Sequence, residues 1–322
     1  MPRYIERVQV DPLGTREQAD LPESLPYNLH PRDFFRMVED LQELLVDLNT
    51  MLHPKGYQRM EEVLDRAGFS GLISKTAATR LAKASRTLVV NQYHNGYPDL
   101  LIDGQYAQNA VQRGTGGLEV KASRTTRSWQ AHGPREGWFC VVQFELDERE
   151  EVAMVDREPT RIRAVMAAEL ISTDWSWQPA KEGRIRSGTA SIKASGVAKC
   201  RDGWVWVDPD YRTKHEELLA KAWADAFSSQ AADLVEDWLR RAGQPATVAD
   251  IAADLAAGHH LDTAVAQRRV GSALQKLAKN GRAQRPRRGQ YVLANTALTS
   301  PAAPPVEEQL SMDDEAVEED DS

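Results

Sequence analysis

The feature that most constrains the fold is a nearly unbroken apolar segment at residues 138–146, with the sequence WFCVVQFEL. Nine residues is the length of a strand, and apolar side chains at successive positions are typical of a strand that is buried on both faces. We therefore expect residues 138–146 to form a central strand, with other elements packed on both sides of its sheet. This pattern predicts a mixed α/β domain.

Other segments of strand length surround this one in the sequence. An Asn95-Gly96 turn signal separates Leu88–Val90 from residues 99–102, and residues 118–122 follow two glycines. Further strands are predicted at residues 164–171, 189–194 and Trp204–Val207. These segments supply the remaining strands of the predicted sheet.

Helical periodicity begins at Pro31. Apolar side chains recur at steps of three and four residues, as on one face of a helix: Phe34, Val38, Leu41, Leu45, Leu48 and Leu52. This stripe either faces the core or forms the contact surface of a homodimer, and the sequence leaves both readings open. Shorter helices are predicted near residues 58–67 and 74–84, and a long amphipathic helix over residues 213–241.

The charge distribution divides the chain into parts. The net charge of −8 conceals nine acids and no base within residues 306–322, whereas residues 243–295 hold eight bases against three acids. We predict an irregular segment at 1–30, helices and a mixed α/β domain at 31–242, a small basic domain at 243–297, and a disordered acidic tail at 298–322. A basic domain of this kind is compatible with nucleic-acid binding.

The composition argues against several classes of protein. No segment approaches the ~20 consecutive apolar residues that a membrane span requires. No apolar run follows the first charged residues, so we expect no secretory signal and no membrane partner. The two cysteines, Cys140 and Cys200, could form one disulfide but cannot build a four-thiolate zinc site. We therefore expect a cytoplasmic protein.

Two acids and a lysine carry the chemical signal. Side chains alternate along a strand, so Glu119 and Lys121 share one face while their apolar neighbours point to the other. A strand beginning at Asp99 can pair with this one, because the intervening sequence leaves room for two short strands and a loop. Two carboxylates with open water positions suit Mg²⁺, and a neighbouring lysine can orient water or stabilise charge on a phosphate. The pattern predicts metal-assisted phosphodiester hydrolysis.

Pro98-Asp99 followed by Glu119-Val120-Lys121 resembles the PD-(D/E)xK motif of the restriction-endonuclease-like nuclease superfamily. The resemblance covers roughly residues 60–180. It implies a restriction-endonuclease-like α/β core, with Asp99 and Glu119 as metal-binding residues and Lys121 as the catalytic lysine. The implied metal is Mg²⁺, with Mn²⁺ as an alternative. Some members of the superfamily add an acid from an upstream helix, and Glu43 and Glu62 are the candidates here.

Further polar and aromatic residues could meet DNA near this motif. Three arginines lie beyond it and are predicted to hold flanking phosphates: Arg124, Arg127 and Arg135. His94 and His132 either assist the site or simply fill loops. Four tryptophans alternate along strands, where we favour packing over base stacking: Trp175, Trp177, Trp204 and Trp206.

The basic domain has a pattern of its own. Thr247 is a good N-cap for a helix ending near Gly258, a second helix is predicted from Thr263 to Asn280, and two short strands flank an arginine-rich turn. The pattern resembles a small α+β winged helix-turn-helix domain over residues 244–295. The resemblance implies a helix in the DNA major groove and a hairpin whose arginines meet phosphates or the minor groove. The predicted DNA contacts are Gln267, Arg268, Lys276, Lys279, Arg285, Arg287 and Arg288. The alternative is a winged fold used for protein contacts.

Together these patterns predict a Mg²⁺-dependent endonuclease acting on double-stranded DNA as a homodimer, of the type II restriction or phage-defence kind. A repair or recombination nuclease would show the same residues. A non-enzymatic DNA-binding regulator is the alternative from another class, and the acidic tail could restrain the basic domain.

Overall fold

The computed structural model describes residues 1–126, 129–131, 133–178, 189–259 and 261–294. Within them lie seven α-helices and twelve strands, so the predicted mixed α/β class is confirmed. The helices are α1 (Pro31–Leu52), α2 (Met60–Val63), α3 (Arg66–Ala84), α4 (Ala194–Asp202), α5 (Arg212–Ala242), α6 (Val248–Gly258) and α7 (Thr263–Lys279). The strands are β1 (Leu88–Val90), β2 (Leu100–Ile102), β3 (Leu118–Ser123), β4 (Gln130–Ala131), β5 (Gly137–Glu145), β6 (Arg161–Leu170), β7 (Trp175–Gln178), β8 (Thr189–Ile192), β9 (Trp204–Val207), β10 (Ala246–Thr247), β11 (Ala283–Gln284) and β12 (Gln290–Leu293).

The main sheet has six strands in the order β1-β2-β3-β5-β6-β9. β3 and β5 run parallel, and the other neighbours in this sheet are antiparallel. β5 lies between β3 and β6, and most of its side chains are buried, as its apolar sequence predicts. The sheet therefore places the Glu-x-Lys strand directly beside the central strand.

Both faces of this sheet are covered. α1 and α3 pack on the face that carries Val120 and Val142, whereas α4, the first half of α5 and the small sheet β4-β8-β7 cover the face that carries Phe139 and Val141. The N-terminal residues 1–30 contain 3₁₀ turns, and the main chain of Arg16 donates to Val205 O at 3.0 Å beside the edge strand β9. The result is a three-layered core around β5.

The apolar stripe of α1 belongs to the core of this chain. A capping box at His30 and Asp33 begins the helix, and Phe34, Val38 and Leu41 are fully buried against the sheet and α3. The core reading of the stripe is therefore the one that the structure shows. Because the stripe is already covered, it does not provide a surface for a homodimer.

Two helices differ from the sequence-based expectation. α3 begins at Arg66 rather than near residue 74, because the side chain of Asp65 caps the helix by accepting from Gly68 N at 2.6 Å. α4 was not predicted at all. It is only nine residues long, and its Gly196 lies so close to Ile192 that a Cβ there would meet Ile192 Cγ1 at 2.7 Å. A short helix that needs glycine for close packing carries little helical pattern.

The C-terminal residues build a second hydrophobic core. It contains α6, α7 and the three-stranded antiparallel sheet β10-β12-β11, together with Phe227, Val235 and Leu239 from the second half of α5. The first helix of this module therefore precedes the predicted boundary at residue 243. The predicted acidic tail, residues 298–322, lies outside the described residues.

Candidate functional site

The structure brings Asp99, Glu119 and Lys121 together at the junction of β2 and β3. Leu100 pairs with Leu118, which sets Asp99 beside the start of β3. Asp99 Oδ2 accepts from Val120 N at 2.9 Å, and Asp99 N donates to Glu119 Oε2 at 3.3 Å. Lys121 Nζ lies 2.5 Å from Glu119 Oε1. Main-chain and side-chain hydrogen bonds thus link Asp99, Glu119 and Lys121 into one cluster.

A glycine allows the two strands to approach at this point. Gly117 has φ +103°, and a Cβ there would meet Leu100 O at 2.1 Å. Its N–H donates to the Tyr27 hydroxyl at 2.7 Å, which ties the start of β3 to the N-terminal segment. Only glycine combines this backbone conformation with the close contact. Gly117 therefore sets how near Asp99 comes to Glu119.

The alternation predicted for β3 holds in the structure. Leu118 and Val120 are buried in the core beneath α3, and Ser74 of α3 accepts from Ala122 N at 2.9 Å. On the opposite face Glu119 is 5 % exposed, whereas the Lys121 side chain is 32 % exposed. The cluster therefore opens to solvent on its lysine side.

Burial and like charge perturb the acids of the cluster. Desolvation, followed by repulsion from Glu119, raises the pKa of Asp99 from 3.8 to about 6. Burial, with a smaller contribution from Glu119, raises the pKa of Tyr97 to about 12, so this phenol stays protonated. The Lys121 ammonium is paired with only one of the two carboxylates. The cluster consequently favours the approach of another cation.

The donor set fits a hard divalent cation. Asp99 and Glu119 offer carboxylate oxygens, which Mg²⁺ prefers, and a divalent charge would offset the repulsion that raises the pKa of Asp99. Among the described residues no group of three or more His, Cys, Asp or Glu side chains is placed to hold a metal. Mg²⁺ usually binds through one or two carboxylates, and water and phosphate oxygens fill the rest of its coordination shell.

Tyr97 and Arg135 form a wall beside the cluster. The guanidinium of Arg135 lies 4.0 Å from the centre of the Tyr97 ring, and the Tyr97 hydroxyl donates to Glu136 O at 3.0 Å. The predicted position of Arg135 near the site is thus consistent with its contacts. Asn91 supports the same loop by donating to Pro98 O at 3.0 Å. Asn91 gave no signal in the sequence, because its role depends on a tertiary hydrogen bond.

Other predicted residues have different partners. Arg124 forms an ion pair with Glu148. The proposed third acid is not found in the cluster: Glu62 pairs with Arg59 and Arg157, and Glu43 pairs with Arg7. His94 lies exposed in the turn before Tyr97, and Arg127 and His132 lie outside the described residues.

The tryptophans mainly pack, as favoured from the sequence. Trp175 and Trp206 are buried, and their indole N–H groups donate to Arg135 O and Asp11 O. Trp204 is covered by the guanidinium groups of Arg16 and Arg212. Trp177 differs, because 45 % of it is exposed on β7.

The C-terminal module presents a basic surface. Along α7 the side chains of Gln267, Arg268, Lys276 and Lys279 are exposed, while Val270, Leu274 and Leu277 face the core. Arg287 and Arg288 are exposed in the turn between β11 and β12, and Arg285 lies over the Tyr291 ring at 4.7 Å. Within the described part of the chain, no carboxylate forms an ion pair with the exposed bases of α7 or of this turn.

A scan against protein-family models and a search of curated proteins gave no match to this chain. Across the residues that the structure describes, no helix has both the length and the apolar character needed to cross a membrane.

Proposed function

We propose that this protein is a Mg²⁺-dependent DNA endonuclease that hydrolyses phosphodiester bonds at the β2–β3 junction. The observation that carries the proposal is the convergence of Asp99, Glu119 and Lys121 from two strands into one cluster. A salt-bridged strand edge would need only Glu119 and Lys121. The additional carboxylate, Asp99, is buried and its pKa is raised, so it destabilises the folded protein at neutral pH. A purely structural ion pair would not need it.

Asp99 and Glu119 would hold the metal, which when bound polarises a phosphate and acidifies a coordinated water. Lys121 reaches the solvent-exposed side of the cluster and would donate to a phosphate oxygen as negative charge increases during attack by water. The water adds its oxygen to phosphorus, one P–O ester bond breaks, and the leaving oxygen takes up a proton. Arg135, held on Tyr97, is placed to contact a neighbouring phosphate.

The C-terminal module supports double-stranded DNA as the substrate. Its three helices and antiparallel sheet follow the order expected of a winged helix, and its exposed α7 face and β11–β12 turn carry bases without acidic partners among the described residues. Such a face suits the major groove, and the turn suits the phosphate backbone. We propose a restriction or phage-defence role, with a homodimer for cutting both strands. A repair or recombination nuclease would use the same cluster.

The test is cleavage of mixed unmethylated DNA in Mg²⁺ by wild type and by Asp99→Ala, Glu119→Ala and Lys121→Ala. Each variant should lose cleavage by at least 10²-fold while DNA binding without metal stays within a few fold. Asp103→Ala is the matched control, because Asp103 is an exposed acid that follows the same strand, β2, and accepts from Asn109. Cleavage that survives all three changes would reject the site.

One observation favours a second function, that of a DNA-binding regulator without catalysis. Glu119 is 5 % exposed, which is low for a residue that must meet a metal and a polymer. A regulator would bind DNA through α7 and the β11–β12 turn and show no cleavage in Mg²⁺ or Mn²⁺. The cleavage experiment therefore separates the two functions.

A further inference from the structure

Asn91 uses its whole side-chain amide in hydrogen bonds beside the acidic cluster. Nδ2 donates to Pro98 O at 3.0 Å and to Val111 O at 2.9 Å. Oδ1 accepts from Tyr93 N and from Val111 N, both at 3.1 Å. An amide side chain has two N–H donors and two acceptor sites on its oxygen, so that of Asn91 is fully satisfied. This one side chain joins both ends of the loop at residues 91–98 to Val111.

The loop that Asn91 closes leads directly into Asp99. The main chain of Asn91 donates to Asp99 O at 2.9 Å, and its side chain binds the carbonyl of Pro98, the residue before Asp99. Gly96 lies against the amide so closely that a Cβ there would overlap Asn91 Nδ2. Asn91 therefore holds the backbone on both sides of the Pro98–Asp99 peptide.

The charges of the cluster tend to push Asp99 away. Asp99 Oδ2 accepts from Val120 N at 2.9 Å and Asp99 N donates to Glu119 Oε2 at 3.3 Å, so the two carboxylates lie close together. Like charges so close repel each other, and the ion pair of Lys121 is with Glu119. Without a cation, this repulsion favours the retreat of Asp99 from the cluster. The hydrogen bonds that Asn91 makes to Pro98 and Asp99 oppose that movement.

We propose that Asn91 is a positioning residue for the metal site, which holds the Asp99 carboxylate beside Glu119 before a divalent cation binds. The inference rests on the proposed function, since it concerns the same pair of carboxylates. In this role Asn91 touches neither the metal nor the DNA. Removing an outer partner of a metal ligand typically weakens metal binding by roughly 10–100-fold. Because Asn91 acts through the position of Asp99, its loss should raise the Mg²⁺ concentration that cleavage requires, and saturating Mg²⁺ should restore the rate.

The test is Mn²⁺ binding to the full chain without DNA, measured by electron paramagnetic resonance on folded protein. Asn91→Ala should bind Mn²⁺ roughly tenfold or more weakly than wild type. In cleavage its half-saturating Mg²⁺ concentration should rise by a similar factor, while its rate at saturating Mg²⁺ stays within about threefold of wild type. Asp99→Ala should lose the rate at every Mg²⁺ concentration. A residue that only stabilised the fold would lower the unfolding midpoint without changing the Mg²⁺ requirement.

Asn109→Ala is the matched control. Asn109 is also a partly buried loop asparagine, and its amide donates to Asp103 Oδ1 and accepts from Gly104 N, each at 3.1 Å. These bonds hold the neighbouring loop rather than the Pro98–Asp99 peptide. The φ of Asn109 is +52°, which asparagine tolerates better than alanine, so this variant should also unfold more easily than wild type. Its Mn²⁺ affinity should nevertheless stay at the wild-type value.

Two further measurements do not depend on the folding of Asn91→Ala. Gly96→Ala leaves the amide in place but displaces it, because the new Cβ would overlap Asn91 Nδ2 and Val111 O, and it should also weaken Mn²⁺ binding. In wild type, the N–H groups of Asn91, Tyr93 and Val111 should resist hydrogen exchange without metal, and saturating Mg²⁺ should change their protection by less than about threefold. Protection that arises only with Mg²⁺ would overturn the proposal, because the metal would then order the loop.

The outcomes distinguish failure of this proposal from failure of the nuclease proposal. If wild type binds Mn²⁺ and cleaves DNA while Asn91→Ala binds Mn²⁺ equally well, the positioning role is wrong and the nuclease site stands. If wild type binds Mn²⁺ without cleaving DNA and Asn91→Ala binds it more weakly, the positioning role stands and the nuclease proposal is wrong. If wild type neither binds Mn²⁺ nor cleaves DNA, both are wrong.

Discussion

Replacing Asp99 with asparagine should stabilise this protein at neutral and alkaline pH. The substitution Asp99→Asn removes a buried negative charge beside Glu119, while the amide oxygen can still accept from Val120 N. It also gives Asp99's position an N–H donor facing Glu119. The change therefore relieves repulsion without removing the hydrogen bond that aligns β2 with β3.

The magnitude follows from the raised pKa. The folded protein holds the Asp99 proton up to about pH 6, whereas the unfolded chain releases it near 3.8. Ionisation thus favours the unfolded chain, and stability is lost as pH rises through this interval. At ~1.4 kcal/mol per pH unit the loss in the free energy of unfolding reaches roughly 3 kcal/mol at pH 8, about half of that at pH 5, and well under 1 kcal/mol at pH 4. Asp99→Asn should recover these amounts.

The measurement is equilibrium unfolding in guanidinium chloride at pH 4, 5 and 8, comparing wild type with Asp99→Asn. Asp103→Asn changes an exposed carboxylate that follows the same strand and should unfold like wild type at each pH. Magnesium at ten times its dissociation constant should stabilise wild type by about 1.4 kcal/mol and Asp99→Asn by less. The reasoning is refuted if Asp99→Asn gains nothing at pH 8, or if its gain is the same at pH 4.

The remaining predictions concern the wing, the strand junction and the thiols. Arg287→Ala combined with Arg288→Ala should weaken binding to many DNA sequences alike, as measured by fluorescence anisotropy. The slope of log K against log salt concentration should fall by up to about 1.8. A loss of affinity confined to one sequence would mean that these arginines contact bases. Gly117→Ala should cost more than about 2 kcal/mol and abolish cleavage, because its Cβ would meet Leu100 O at 2.1 Å; unfolding of this variant near the wild-type midpoint would contradict that contact. Cys140 and Cys200 are free and buried, and burial raises the pKa of Cys140 to about 12, so neither should react with a thiol reagent until the protein unfolds; rapid labelling of the native protein would contradict the burial.

Local patterns in the sequence were sufficient for much of the fold. The apolar run at residues 138–146 predicted β5 and its central position, and the stripe beginning at Phe34 predicted α1 and its start at Pro31. The alternation around Val120 predicted which face of β3 is buried. Each of these features repeats with the period of one element, so it can be read without knowing the rest of the chain.

Features that depend on contacts between distant residues could not be read in this way. α4 is held by Asp174, which accepts from Ser195 and Lys199 and lies about twenty residues earlier in the chain. The start of α3 differs, because Asp65 caps Gly68 only three residues away, a local signal that the predicted start near residue 74 overlooked. The structure was also needed to decide whether the α1 stripe packs in the core or in a homodimer, because both arrangements require the same pattern of apolar residues. For the site, the sequence motif identifies Asp99, Glu119 and Lys121 as candidates. The short distance between Asp99 and Glu119 depends on Gly117 and on the pairing of β2 with β3, which the motif does not show.

The long helix α5 has a practical consequence for anyone who wishes to dissect the protein. Its first half contributes Ala222 and Ala226 to one core, and its second half contributes Val235 and Leu239 to the other. Cutting the gene at the glycine that ends this helix, Gly243, would deprive the smaller fragment of buried side chains worth ~1.5–3 kcal/mol each. A separately expressed C-terminal fragment should therefore start near residue 226, in the middle of α5. The N-terminal fragment would then end in a frayed, solvent-exposed turn of the same helix.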